Sequence, residues 1–175
     1  MSKKLHLGCG KRFIPGFIHI DREPWDHLDY QKNIENLDIF ENNSIDMIYT
    51  CHSFGYFDDG QALTTLKEWY RVLKLGWVVR LATPDFEAIS LAYLKFVKRL
   101  VTGYYQYKGE TIYNKSVYDE LTLCSLMQEA SFKNPHRYDW QDTDFAEYDD
   151  YSKAYFPYMD KANGILMSLN VEEIK

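Results

Sequence analysis

The sequence predicts a single α/β domain spanning residues 1–175, a three-layer sandwich whose mainly parallel sheet is covered on both faces. Three observations carry that prediction. Short apolar strand patterns alternate with helix patterns along the chain. The first strand closes on the glycine turn Leu7-Gly8-Cys9-Gly10. A length of 175 residues, with 46% hydrophobic and 26% charged side chains, suffices for one buried core. Ligands of such sheets sit beyond the carboxyl ends of the strands, so the chemistry is sought there.

Leu5-His6-Leu7 runs into Gly8, and Phe17-Ile18-His19-Ile20 ends at Asp21, giving two short strands close together. A third is expected around Lys32 to Ile34, bounded by asparagines, and a fourth over Ile45 to Thr50, running toward Cys51 and His52. From Gly60 to Lys74, Leu63, Leu66, Trp69, Tyr70 and Leu73 recur at helical spacing, with Gly76 where a C-terminal stop belongs. Trp77 to Ala82 reads as a buried strand ended by Thr83-Pro84-Asp85, since proline removes a ladder donor. Helices are expected over Phe86 to Leu100 and Asp119 to Ser131, and strands over His136 to Trp140 and Ile165 to Val171. The acidic, aromatic stretch from Gln141 to Asn163, in which Tyr148, Tyr151, Tyr155 and Tyr158 recur at the three- and four-residue steps of an amphipathic segment, is read as a solvated lid that closes over an acceptor or a partner subunit, as in a homodimer. Ten of the 15 tyrosines lie from Tyr104 onward, either covering a core rim or lining an acceptor pocket.

Composition removes several classes of function. A net charge of -6 without a Lys/Arg cluster lacks the electrostatic footprint of nucleic-acid binding. The apolar runs are too short for a membrane span of about 20 residues. Met1-Ser2-Lys3-Lys4 is not followed by the apolar stretch of a signal peptide, so a cytoplasmic location is expected. Cys9, Cys51 and Cys124 fit neither a disulfide framework nor a zinc site, and the five histidines show no metal-ligand spacing. No metal is expected, and the expected partner is a small-molecule acceptor.

Three strand ends then line up as a nucleoside site. Gly8 and Gly10, with Cys9 between them, allow a ligand to approach main-chain N–H groups. Asp21, followed by Arg22, offers a carboxylate to ribose hydroxyls, and Asn33-Ile34 offers an amide oxygen and a backbone N–H to an adenine edge. Cys51 closes the neighbouring strand as a further lining residue. A dinucleotide site expects a third glycine and an acidic residue about 20 positions on. Here Arg12 stands two after Gly10, and Asp21 comes too early. Only seven residues, Lys11 to Phe17, separate Gly10 from Ile18, which leaves little room for the helix whose N-terminus binds a pyrophosphate. S-adenosylmethionine has no phosphate and loses least from that shortening.

The segments KLHLGCG, PGFIHID, NSIDMIYTCHSFGYF, LKEWYRVLKLG and VRLATPDFEAI, continuing through YDW into DDYSKAYFPYMDKANGILMSLNVE, resemble a family of small class I S-adenosylmethionine-dependent methyltransferases over nearly the whole chain. The resemblance implies a Rossmann-like seven-stranded sheet with an antiparallel last strand near Ile165 to Val171. It also implies cofactor roles for Gly8, Gly10, Asp21, Asn33 and Ile34. The sequence departs from the family pattern at His6, usually acidic or polar, at Asn33, usually aspartate, and at Gly55, usually glutamate. Trp77 replaces a glycine, and Asn114 replaces a histidine.

Methyl transfer asks the protein mainly to position an acceptor and exclude water. His52, at the mouth of the site, is read either as a general base or as a brace of the Cys51 to Gly55 loop. Glu68 and Arg71 read as a pair or a brace, and Asp85 as a helix cap. The sequence thus points to a methyltransferase acting on a small polar acceptor such as a saccharide or its precursor. The alternative is a degenerate, cofactor-binding module acting through a protein partner. A nicotinamide-dependent oxidoreductase is disfavoured by the missing third glycine.

Overall fold

β1 (Lys4–Leu7), β2 (Phe17–Asp21) and β4 (Ile45–Cys51) are short, mainly apolar strands buried on both faces, which suits the middle of a parallel sheet. The computed structural model describes residues 2–92, 104–107 and 110–175. β3 (Tyr30–Gln31) forms one edge, followed inward by β2, β1, β4 and β5 (Leu73–Pro84), all parallel. β11 (Ser168–Ile174) then runs antiparallel to β5, and β8 (His136–Arg137) lies antiparallel to β11 at the far edge. The order is β3-β2-β1-β4-β5-β11-β8. Two smaller sheets pair β6 (Tyr104–Tyr107) with β7 (Glu110–Tyr113), and β9 (Tyr155–Phe156) with β10 (Ile165–Leu166). The pairing of β6 with β7 has no counterpart in the sequence reading.

α1 (Asp59–Val72) starts at a capping box between Asp58 and Gln61, and α3 (Glu120–Glu129) at one between Asp119 and Thr122. Their apolar faces, including Leu66, Trp69, Leu123 and Met127, cover Leu5, Leu7, Ile48, Leu81 and Leu169 on one side of the sheet. α2 (Phe86–Ala92) follows β5; the rest of the helix expected to Leu100 lies outside the described residues.

Among the described residues, the opposite face is covered without long helices. Phe17, Met47 and Tyr49 meet Ile14 from the first crossover and Phe145 from the acidic, aromatic stretch. That stretch is therefore a layer of the sandwich and not a solvated lid. Asp150 is 5% exposed and accepts from the Tyr49 hydroxyl, the Ser152 N–H and the Ser152 hydroxyl. Lys153 is 2% exposed, its ammonium donating to the carbonyls of Ala146 and Tyr148. Asn170 of β11 donates from Nδ2 to the Ser152 carbonyl at 3.0 Å. Buried polar groups with partners are tolerated, which lets so polar a segment act as a core layer.

Several boundaries differ from expectation for local reasons. The third strand ends at Gln31, because Lys32 N–H makes the last bond to β2, at Asp21 O (2.9 Å). α1 does not end on Gly76; it passes into β5 at Leu73. The Lys175 ammonium takes the helix-end carbonyls of Tyr70 and Leu73 at 2.6 and 2.7 Å, and Gly76 sits inside β5. β8 stops at Arg137, and Asp139 caps a 3-10 turn from Trp140 to Asp142. The strand expected from Ile165 is divided at Met167, where the chain changes partner from β9 to β5.

Candidate functional site

Gly8 and Gly10 have φ of +64° and +54°, the left-handed region that favours glycine. At Gly8 a Cβ would lie 2.5 Å from Ser53 Cβ, so the loop after β4 closes directly on the turn. At Gly10 a Cβ would meet nothing within 4 Å, leaving the turn open on that side. Asp21 fixes this shape from the end of β2: Oδ2 accepts from Gly10 N–H and Oδ1 from Glu23 N–H, each at 2.8 Å, with the side chain 8% exposed. The predicted ribose ligand is thus also the clasp of the turn. Glu23, 7% exposed and 3.2 Å from Arg22 Nε, is a second buried carboxylate here. The sequence reading missed it, although it lies only two residues beyond Asp21. Beside the turn, Lys11 sits over the Trp25 ring at 5.4 Å, and the buried Trp25 Nε1 has no protein acceptor among the described residues.

Cys9 is buried, its Sγ 3.7 Å from His27 Nε2, and burial, helped by Asp21, pushes its thiol up to about 12. It is a neutral wall residue. Ile34 is buried with its carbonyl accepting from Trp69 Nε1 at 2.8 Å, whereas Asn33 is exposed. Arg71 pairs with Glu68 at 2.7 Å and donates to the carbonyls of Leu37 and Phe40, so this pair braces the loop after Ile34 against α1.

At the end of β4, His52 has φ +53°, donates its N–H to Ala82 O, and places Nε2 3.2 Å from Ser168 Oγ. Its ring lies 5.4 Å from that of Tyr151 and hydrogen-bonds the Tyr151 backbone; burial lowers its pKa to about 4. An imidazole held in this way, and neutral at pH 7, matches the brace better than the base. Cys51 faces Asp150, and burial raises its thiol well above the ordinary range. The sheet turns Cys51 toward the covering layer. Asp85 is a cap: Oδ1 accepts from Ala88 N–H at 3.1 Å and Oδ2 from Arg137 at 2.7 Å.

Two departures from the family pattern meet in space. A Cβ on Gly55 would lie 3.4 Å from Asn114 Oδ1, so the two positions are direct neighbours. His6 is 1% exposed on the helix-free face, 5.4 Å from the His19 ring, which in turn is 5.3 Å from His27. Among the described residues no three His, Cys, Asp or Glu side chains are placed to hold a metal ion.

Burial, then the neighbouring His19 and His27, lowers His6 to about 3. With His52 this makes stability pH-dependent. Both folded pKa values lie below the ordinary 6.5, so below that pH the unfolded chain takes up protons that the folded chain refuses. Stability is expected to fall by about 1.4 kcal/mol per pH unit for each histidine. The loss starts near pH 6.5 and levels off near pH 4 for His52 and pH 3 for His6. Urea titrations between pH 7 and pH 4 check this; replacing His6 should flatten the slope.

Residues 15–79 match the family model described as "Methyltransferase domain". No curated protein matches the sequence. Among solved structures, an S-adenosylmethionine-dependent methyltransferase from Archaeoglobus fulgidus superposes with TM-score 0.60 at 10% identity, covering 99% of this chain and 86% of that one. One from Clostridium acetobutylicum gives 0.58 at 13%, covering 99% and 83%. The Burkholderia thailandensis 1,6-didemethyltoxoflavin-N1-methyltransferase, solved with 1,6-didemethyltoxoflavin and S-adenosylhomocysteine, gives 0.58 at 10%, covering 99% and 71%. These likenesses show a shared fold, and the family-model match adds sequence evidence within it. The chain thus shares the fold of these S-adenosylmethionine-dependent methyltransferases, and its residues 15–79 are similar to a methyltransferase domain.

Proposed function

We propose that the chain binds S-adenosylmethionine at the Gly8–Gly10 turn and methylates a small polar acceptor, with saccharides and their precursors the first class to test. The observation that carries this reading is the Asp21 clasp, which holds Gly10 with its open side free of protein atoms. Trp25 Nε1, a buried donor with no protein acceptor among the described residues, fits a polar ligand beside the turn. The Burkholderia enzyme, crystallised with its small heterocycle, is a precedent for a small acceptor on this fold.

When bound, the cofactor supplies a methyl group on a sulfonium, already activated for displacement. The chain's part is placement. Backbone at Gly8, Cys9 and Gly10 shapes the cradle, and Asp21 with Arg22 and Glu23 borders the ribose side. Asn33 and Ile34 border the adenine side, Ile34 being fixed by Trp69. Cys51 backs the wall, and His52 holds β4, β11 and Tyr151 together so that the mouth keeps its shape. Positioning of this kind is worth up to about 7–11 kcal/mol of barrier.

A second reading, a cofactor-binding module that acts through a protein partner or as a homodimer, is favoured by His6. The position usually acidic or polar holds an imidazole buried beneath the turn. Supplying methyl-labelled S-adenosylmethionine with a panel of saccharides, sugar alcohols and small amines separates the readings. Label transferred to one acceptor class establishes the enzyme and its substrate. No transfer in the presence of measured cofactor binding favours the module.

A further inference from the structure

Between Gly8 and Phe17 the chain contains no helical residue. In a longer crossover a helix would start after the glycine turn, and its free N–H groups would receive an anion. This turn lacks that device. The amino-acid tail of S-adenosylmethionine ends in a carboxylate, which must find a counter-charge on a protein of net charge -6. Two cations follow Gly10. The Lys11 ammonium lies over the Trp25 ring. The Arg12 side chain is 44% exposed, with Nη2 3.5 Å from Asp149 Oδ2 and the guanidinium 5.9 Å from the centre of the Tyr151 ring.

The Arg12–Asp149 contact is loose, and Asp149 is 63% exposed. An exposed pair of this kind contributes little against water, so exchanging one carboxylate for another there costs little. Tyr151 is itself fixed, by the His52 ring and by the buried Asp150–Ser152 turn next to it. The guanidinium therefore rests on an ordered ring at the edge of the glycine turn, and a planar fork of donors suits a carboxylate.

We infer that Arg12 is the anchor for the carboxylate of the cofactor's amino-acid tail and that Asp149 is its placeholder, released when the tail binds. The inference rests on the adenosyl reading of the turn and assigns the one part of the cofactor that Asp21, Asn33 and Ile34 do not address. Exchange also ties the occupied turn to the covering layer, because Asp149 adjoins the Asp150 network that holds Tyr49 and Ser152.

The test compares two ligands on the intact protein: S-adenosylhomocysteine, which has the tail, and 5′-methylthioadenosine, which has the same nucleoside and a thioether but no tail. Arg12→Ala is expected to weaken S-adenosylhomocysteine about tenfold or more, the scale of a lost charge-assisted hydrogen bond, and to leave 5′-methylthioadenosine unchanged. Arg12→Lys should retain part of the difference. Asp149→Asn should tighten S-adenosylhomocysteine about two- to fivefold by removing the competing carboxylate, again without effect on 5′-methylthioadenosine. Equal loss of both ligands in Arg12→Ala, or no loss of either, overturns the assignment. If the wild-type protein binds neither compound, the adenosyl reading fails and takes this inference with it.

Discussion

Asp21→Ala is expected to weaken S-adenosylhomocysteine binding by at least about 100-fold and to lower folding stability by about 2–5 kcal/mol in the same protein, because two buried N–H groups lose their acceptor. Those groups are Gly10 N–H and Glu23 N–H, each 2.8 Å from the carboxylate. Left without Asp21, the turn has no reason to keep Gly10 at φ +54°, and the Glu23 segment loses its anchor to the end of β2. The loss of binding thus has two sources, a missing ribose partner and a relaxed turn. Asp21→Asn separates them in part: its amide oxygen still accepts from one N–H while its NH2 opposes the other, so about half of the stability loss should remain while affinity stays low. Calorimetry and thermal melts on the two variants read both quantities. Unchanged affinity in Asp21→Ala would mean that the ribose lies elsewhere.

Removing residues 141–163 is expected to abolish the cooperative fold, not merely acceptor use. Phe145 is 5% exposed against Phe17 and Tyr49, with ring centres 5.5 and 4.6 Å away, and Asp150 is the partner of the buried Tyr49 hydroxyl. The deletion would expose Phe17, Met47 and Tyr49 on a face that no long helix among the described residues covers. A milder variant keeps the question open to measurement. Phe145→Ala should cost about 3–5 kcal/mol, as large-to-small changes at buried aromatics do. Urea unfolding of the point variant, and the presence or absence of a melting transition in the deletion, check this. A deletion that melts like the intact protein and loses only acceptor turnover would restore the lid.

The parts of the fold that local chemistry dictates were legible in the sequence. Short apolar runs gave β1, β2 and β4. The 3.6-residue apolar period gave α1 and α3, and the glycines gave the turn, because a strand entering a left-handed position needs them. What stayed hidden depends on contacts distant in sequence. Gly76 reads as a helix stop, yet α1 ends because Lys175, 105 residues from Tyr70, reaches its last carbonyls. Nothing around Gly76 encodes that. The two residues of β3 are too few to show a period, so its position slipped toward Asn33. The Gln141 to Asn163 stretch reads as solvated because of its charges. Asp150 and Lys153 are nevertheless buried, since Tyr49, Ser152 and two backbone carbonyls satisfy them.

In the site itself, Asp21 was legible as a carboxylate closing a strand, but not its role as clasp. That role needs the Gly10 amide, brought to it only when β1 and β2 pair. Ser53 was invisible for the same reason: its approach to Gly8 exists only once β4 lies beside β1. His52 was found by position at a strand end. The structure adds the partners, Ser168 and Tyr151, that turn a candidate base toward a bracing role.

Calorimetric titration of the wild-type protein with S-adenosylhomocysteine and, separately, with NAD is the most direct test of the adenosyl site at Gly8–Gly10. S-adenosylhomocysteine is expected to bind at micromolar concentration or tighter, a binding free energy of about -8 kcal/mol, with no heat from NAD. Binding of NAD in preference, or of neither compound, would contradict it.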